Sequence, residues 1–167
     1  MNERSETSAL SYRENVTVRR AEAGDLDVLA GFAQAMARET EDKALAPDTV
    51  REGIRAALEA PDRGAYFIAE DAAASDEAAA GALMVTREWS DWRNGFFWWI
   101  QSVYVRPAWR RRGVYRRLYE HVRRRAESED EVCGLRLYVE KKNAAARAAY
   151  EALGMEETHY RMYEMVL

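Results

Sequence analysis

The sequence predicts a mixed α/β fold of the α+β-like kind, on three observations. Apolar residues alternate with polar ones in several short runs and recur at three- and four-residue intervals in others. The two kinds of run follow one another in the order β-α-α-β-β-β-α-β-α-β, without an internal repeat or an interior linker. Turn signals separate them, and Asn94-Gly95, set between aromatic runs, is the strongest short-range hairpin signal in the chain.

The elements can be justified in order. Met1–Asn15 is polar and unpatterned, which predicts a flexible N-terminal arm ahead of a single domain from Val16 to Leu167. Val16–Ala21 alternates and reads as the first strand. Gly24-Asp25 punctuates, and Leu26, Leu29, Phe32, Ala33 and Met36 mark a first amphipathic helix that fades over Arg38–Asp42. Pro47-Asp48 opens a second helix, because proline's fixed φ suits a first turn and Asp48 favours the dipole. Val50, Ile54, Ala57 and Leu58 are its apolar face. Ala65–Ala69 is a short strand, and the alanine-rich acidic stretch Glu70–Ala79 is a loop. Gly81–Trp89 and Phe96–Val105 are strands three and four, joined by the Asn94-Gly95 hairpin. A third helix covers Arg111–Ser128, a fifth strand Leu135–Glu140, and a fourth helix runs from Asn143 as its cap to Leu153, with Gly154 placed to end it. Thr158–Val166 reads as a last strand.

Size and composition narrow the function. At 167 residues and 48% hydrophobic content the chain is long enough for a sizeable core. A net charge of -4 argues against a dedicated nucleic-acid binder. The basic residues bunch between Arg106 and Arg125, which points to a local anionic ligand. One cysteine excludes an internal disulfide, and no Cys/His cluster has zinc spacing, so no metal is expected. Cys133 reads as a small apolar strand residue, not a nucleophile. No run approaches the ~18 apolar residues of a membrane span, and no secretory signal opens the chain. A cytoplasmic location is the default, without membrane or nucleic-acid partners.

The stretch Ile100–Leu118 carries the chemistry. Strand residues Ile100, Val103 and Val105 lead to Pro107, which ends the ladder. Three arginines and Gly113 follow, and from Val114 the spacing becomes helical. A strand, an arginine-glycine turn and a helix start aim unpaired N–H groups and the positive end of a dipole at an anion. Arg110, Arg111 and Arg112 precede the helix and favour ligand contact. Arg116 is evenly balanced between ligand and solvent, and Arg117, Arg124 and Arg125 read as a solvated face.

Arg110-Arg111-Arg112-Gly113-Val114-Tyr115 resembles the glutamine/arginine-x-x-glycine-x-glycine/alanine signature of the GNAT superfamily of N-acetyltransferases. Asn143, Ala146, Tyr150, Gly154 and Met155 resemble that family's second motif, at the correct separation. The resemblance implies a twisted mixed sheet of six to seven strands with about four helices, splayed between strands four and five. It implies acetyl-CoA as donor, with pantetheine held by the main chain along Val103, Tyr104 and Val105. The pyrophosphate would lie on N–H groups from Arg112 to Arg116, Val114 included, with Asn143, Ala146 and Tyr150 also near the cofactor. One position departs from the signature: Tyr115 stands where a small residue is usual, so its ring must turn away from the phosphates.

The implied reaction is acetyl transfer to a primary amine by direct attack in a ternary complex. Tyr150 holds the family's proton-donor position. Gln101 stands near the place where many relatives carry a glutamate, and an amide cannot take a proton from ammonium. Glu39 and Glu88 are the leading base candidates, and burial should raise the pKa of whichever serves. Gln101, Glu41, Trp89 and Asp91 are candidates for contact with a small-molecule or peptide amine acceptor. Homodimerisation is also implied, since family members often pair. The alternative is a catalytically silent acyl-CoA-binding module of the same fold.

Overall fold

The computed structural model describes residues 15–71, 73 and 78–167. The expected arm therefore lies outside the described residues apart from Asn15, as does half of the expected Glu70–Ala79 loop, whose Glu70, Asp71 and Ala79 are strand residues instead. Two units are described separately, the first ending at Leu137 and the second comprising Tyr138–Leu167.

The first unit is built on one sheet whose spatial order follows the sequence. Its strands are β1 (Val16–Arg20), β2 (Ala65–Asp71), β3 (Ala79–Ser90), β4 (Gly95–Val105) and β5 (Val132–Arg136). The three pairings from β1 to β4 are antiparallel, and β4 pairs with β5 in parallel. The hairpin predicted at Asn94-Gly95 joins β3 to β4, with Ser90 opposite Gly95 and Asn94 in the left-handed region at φ 47°.

Three helices accompany the sheet. Helix α1 (Leu26–Glu41) and helix α2 (Pro47–Glu59) follow β1, and α3 (Val114–Glu127) follows β4. Leu29 and Phe32 of α1 and Ile54 of α2 bury against Ile68, Ala82 and Tyr104, which forms the core on one face of the sheet. Phe67 points to the opposite face, since successive strand residues alternate. There its ring meets His121 of α3 at 5.3 Å. Val114, Leu118 and Val122 of α3 are fully buried, in keeping with their helical spacing.

β4 carries a bulge that positions the site. Met84 opposes Gln101 and Ala82 opposes Tyr104, so β4 holds one extra residue there. Ser102 adopts φ 49° at this point. Because of the extra residue, Tyr104 shares a face with Gln101, Trp99 and Phe97.

Two expectations about strands need correction. The sheet has five strands among the described residues, not six to seven, and Thr158–Val166 is not a strand. An alternating pattern makes a strand only where a neighbour offers a ladder, and no residue of that run is paired. The fifth strand also begins earlier than Leu135–Glu140. Pairing starts where the Phe96 N–H donates to the Glu131 carbonyl at 2.7 Å and ends at the Trp99–Arg136 rung. Gly134 hid this start from a pattern search, yet it is required there: a Cβ would lie 2.8 Å from Phe97 Cε1.

In the second unit, α4 (Ala144–Ala152) is capped by Asn143, whose Oδ1 accepts from Ala146 N–H at 3.0 Å. Gly154 follows it at φ 85°, the left-handed conformation expected of a helix-ending glycine.

Candidate active site

Beyond the Trp99–Arg136 rung, β4 continues from Ile100 to Val105 without a β5 partner. At ~3.4 Å per residue this leaves roughly 17 Å of strand edge unpaired by β5. The splay expected between strands four and five would begin at this point, where pairing with β5 stops. At the far end of that edge a short 3₁₀ turn, Pro107–Trp109, leads into Arg110–Gly113 and α3.

No side chain caps the start of α3. The Arg117 N–H reaches back to the Gly113 carbonyl at 3.1 Å, so the N–H groups of Val114, Tyr115 and Arg116 lie in the first turn without an intrahelical acceptor. Arg111 and Gly113 take φ values of 60° and 80°, which is why the helix begins at Val114 rather than Arg111. Nothing lies within 4 Å of a Cβ built on Gly113, so the space beside the turn is open to a ligand. Val114 is buried beneath, while Arg111, Arg112 and Arg116 are exposed. The Arg112 guanidinium sits 5.5 Å from the Trp109 ring. Tyr115 lies along the helix with its ring 6.3 Å from that of Tyr119.

Arg110 has a different setting from its neighbours. Its Nε donates to the Val105 carbonyl at 2.9 Å, and its guanidinium pairs with Glu39 at the end of α1. The Tyr104 hydroxyl donates to the other Glu39 oxygen at 3.0 Å. Glu39 thereby ties α1 to the β4–α3 turn. The Arg110 partner holds the Glu39 carboxyl below the usual carboxylate range, helped by Tyr104 and opposed by desolvation. The rise in pKa expected of a buried base is therefore not found at Glu39. Burial and the bond to Glu39 push the Tyr104 phenol up.

A second group of side chains occupies the same face of the sheet, near the closed end of the opening. Glu88 accepts from Arg136 Nη1 at 2.6 Å through one oxygen and from the Trp99 indole N–H through the other. The Arg136 guanidinium also lies 3.6 Å from the centre of the Phe97 ring. Gln101 donates to Thr86 Oγ1 at 2.5 Å. These residues come together through strand register, as Glu88 opposes Phe97 and Thr86 opposes Trp99.

The other candidates lie elsewhere. Trp89 is half exposed and edges against Phe96 at the hairpin, and Asp91 there accepts from the Trp92 N–H at 2.9 Å. Glu41 is exposed at the last residue of α1. In the second unit, Tyr150 is partly buried on α4, and burial raises its phenol above the ordinary tyrosine range. Cys133 is a half-buried residue of β5, as a small strand residue should be.

A family model described as acetyltransferase (GNAT) family matches residues 27–155. The chain belongs to the GNAT acetyltransferase family.

Solved structures agree with this assignment. A possible acetyltransferase from Clostridium difficile 630 is 39% identical, with a TM-score of 0.83 over 91% of this chain and 97% of that one. AAC(6')-Iy, solved with the bisubstrate analogue CoA-S-monomethyl-acetylneamine, is 20% identical with a TM-score of 0.71, covering 91% of this chain and 98% of its own. Glucosamine-6-phosphate N-acetyltransferase from Arabidopsis thaliana is 18% identical at a TM-score of 0.69, covering 90% and 97%. The last two show likeness of fold. No curated protein matches.

For a GNAT chain the donor to test against this geometry is acetyl-CoA, and the residues fit it. The uncapped first turn of α3 and the open space at Gly113 suit a pyrophosphate. The β4 edge offers peptide groups to an extended arm, although the Val105 carbonyl already accepts Arg110. No group of three or more metal-ligating side chains occurs among the described residues, and no described helix is long and apolar enough to cross a membrane. Sequence reasoning missed Arg136 and Thr86 as members of the Glu88 group. Their only signal was polarity within strands, which becomes a position only once the register is known.

Proposed function

We propose that the protein is an N-acetyltransferase that moves the acetyl group of acetyl-CoA to a primary amine by direct attack in a ternary complex. The observation that carries this reading is the uncapped, arginine-rich start of α3 at the end of a β4 edge that β5 leaves open. When bound, acetyl-CoA supplies the activated thioester.

The chain's own residues supply the rest. First-turn N–H groups of α3 hold the pyrophosphate, with Arg111, Arg112 and Arg116 as counter-charges. Glu39 fixes Arg110 and with it the turn. Glu88, on the acceptor side of the sheet, takes the amine's proton as the amine attacks the carbonyl carbon and the C–S bond breaks. Tyr150 returns a proton to the leaving thiolate, a role supported by its place in the second motif and by a phenol that stays protonated at neutral pH. The family site implies a small-molecule or peptide acceptor, which AAC(6')-Iy illustrates by the acetylneamine portion of its analogue.

Thiol release from acetyl-CoA, followed across a panel of amines and lysine peptides, tests the proposal. Turnover with at least one amine class is expected. Tight coenzyme A binding without turnover of any amine would favour a silent acyl-CoA-binding module instead.

A further inference from the structure

The Glu88 group has a charge pattern that a plain amine does not match. Glu88 and Arg136 form a pair 2.6 Å apart, and their side chains are 42% and 35% exposed, so a ligand can reach both. Trp99 holds the second Glu88 oxygen, and Phe97 lies under the guanidinium. The pair also sits at a particular place. Arg136 and Trp99 form the last rung between β4 and β5, which is where an arm laid along the edge from the α3 start reaches its closed end.

A cation entering beside Glu88 meets Arg136 within a few ångströms, and the two positive charges repel. Replacing the guanidinium outright would leave it without its partner carboxylate, at a cost in desolvation. A ligand with both charges avoids both penalties. Its ammonium takes over Glu88, and its anion takes over Arg136, whose planar fork suits a carboxylate or phosphate.

We infer that Glu88 and Arg136 together bind the acceptor, and that the acceptor is a zwitterion with a carboxylate or phosphate a few bonds from its primary amine. This rests on the N-acetyltransferase reading and narrows its substrate class. The substrate anion does more than add affinity. By drawing Arg136 off Glu88 it leaves that carboxylate to accept the amine's proton, so an amine without an anion faces a base still engaged elsewhere. Trp99 and Phe97 provide an apolar wall for the acceptor's carbon skeleton.

The test compares matched acceptors in thiol release by the intact protein: free amino acids, aminoalkyl phosphates, the corresponding decarboxylated amines, and an aminoglycoside. At least one class of zwitterion should exceed its anion-free counterpart about tenfold or more in kcat/KM, and the two anionic arms identify the anion. Arg136→Gln should erase that advantage, while Arg136→Lys retains part of it. Calorimetry of acceptor binding with coenzyme A present should follow the same order. Anion-free amines acetylated equally well would overturn the zwitterion while leaving N-acetyl transfer intact. A preference that persists in Arg136→Gln would remove Arg136 from the site. Failure of every amine, with coenzyme A still bound, would overturn both readings.

Discussion

A phenol acts as an acid at neutral pH only while it keeps its proton, and burial holds the Tyr150 proton more firmly than water would. The sign follows directly. Because its folded pKa lies above the ordinary 10.0, the protonated form persists to higher pH, and its contribution to stability is lost only as pH rises beyond that value. If Tyr150 protonates the thiolate, the alkaline limb of kcat lies above 10.0. Tyr150→Phe should then lower kcat by ~10²-fold or more, abolish that limb and leave coenzyme A affinity nearly unchanged. Thiol-release profiles with calorimetry read all three, and wild-type turnover in the variant would sink the assignment. Glu39 moves the opposite way. Its lowered pKa keeps it ionised at neutral pH, where it braces Arg110, and that support fades as pH falls below the usual 4.5.

Among the elements, the turn before α3 depends most on a single residue. Gly113 lies at φ 80°, a region that costs other residues roughly 1–2 kcal/mol, yet it has open space where a Cβ would stand. Gly113→Ala should therefore lower stability by about that amount in urea unfolding, and weaken coenzyme A moderately by filling the space. Gly113→Glu adds a negative charge facing the phosphates, and calorimetry should detect no coenzyme A binding although circular dichroism remains that of the wild type. Retained binding would mean that the phosphates lie elsewhere. This turn was legible in the sequence because glycine, proline and cap signals act over a few residues, as they also did at Pro47 and Asn143. The Glu39–Tyr104 and Glu88–Arg136 contacts were not legible. They join residues far apart in the chain, and sheet register decides them. Thr158–Val166 failed for a related reason, since its alternation had no partner to pair with.

For the whole molecule, the bulge at Ser102 links the two halves of the site. No glycine or proline announces it, so the sequence reads straight through. The alternation of β4 changes phase there: odd-numbered residues face the Glu88 side as far as Gln101, and even-numbered Tyr104 takes that side afterwards. Deleting Ser102 would remove the bulge without changing that assignment. Val103 would come opposite Leu83, and Tyr104 would stay opposite Ala82, beside Phe32 and the α1 core and in reach of Glu39. The deletion variant is therefore expected to keep a cooperative thermal transition, and Ser102→Gly should unfold within about 1 kcal/mol of wild type because glycine accepts the left-handed backbone. What the deletion removes is the bend that a bulge gives its strand, at the very edge that β5 leaves unpaired. Coenzyme A affinity should fall in the folded deletion variant, and unchanged affinity would refute this. The extra residue thus shapes the backbone of the edge while leaving the side chains on their faces.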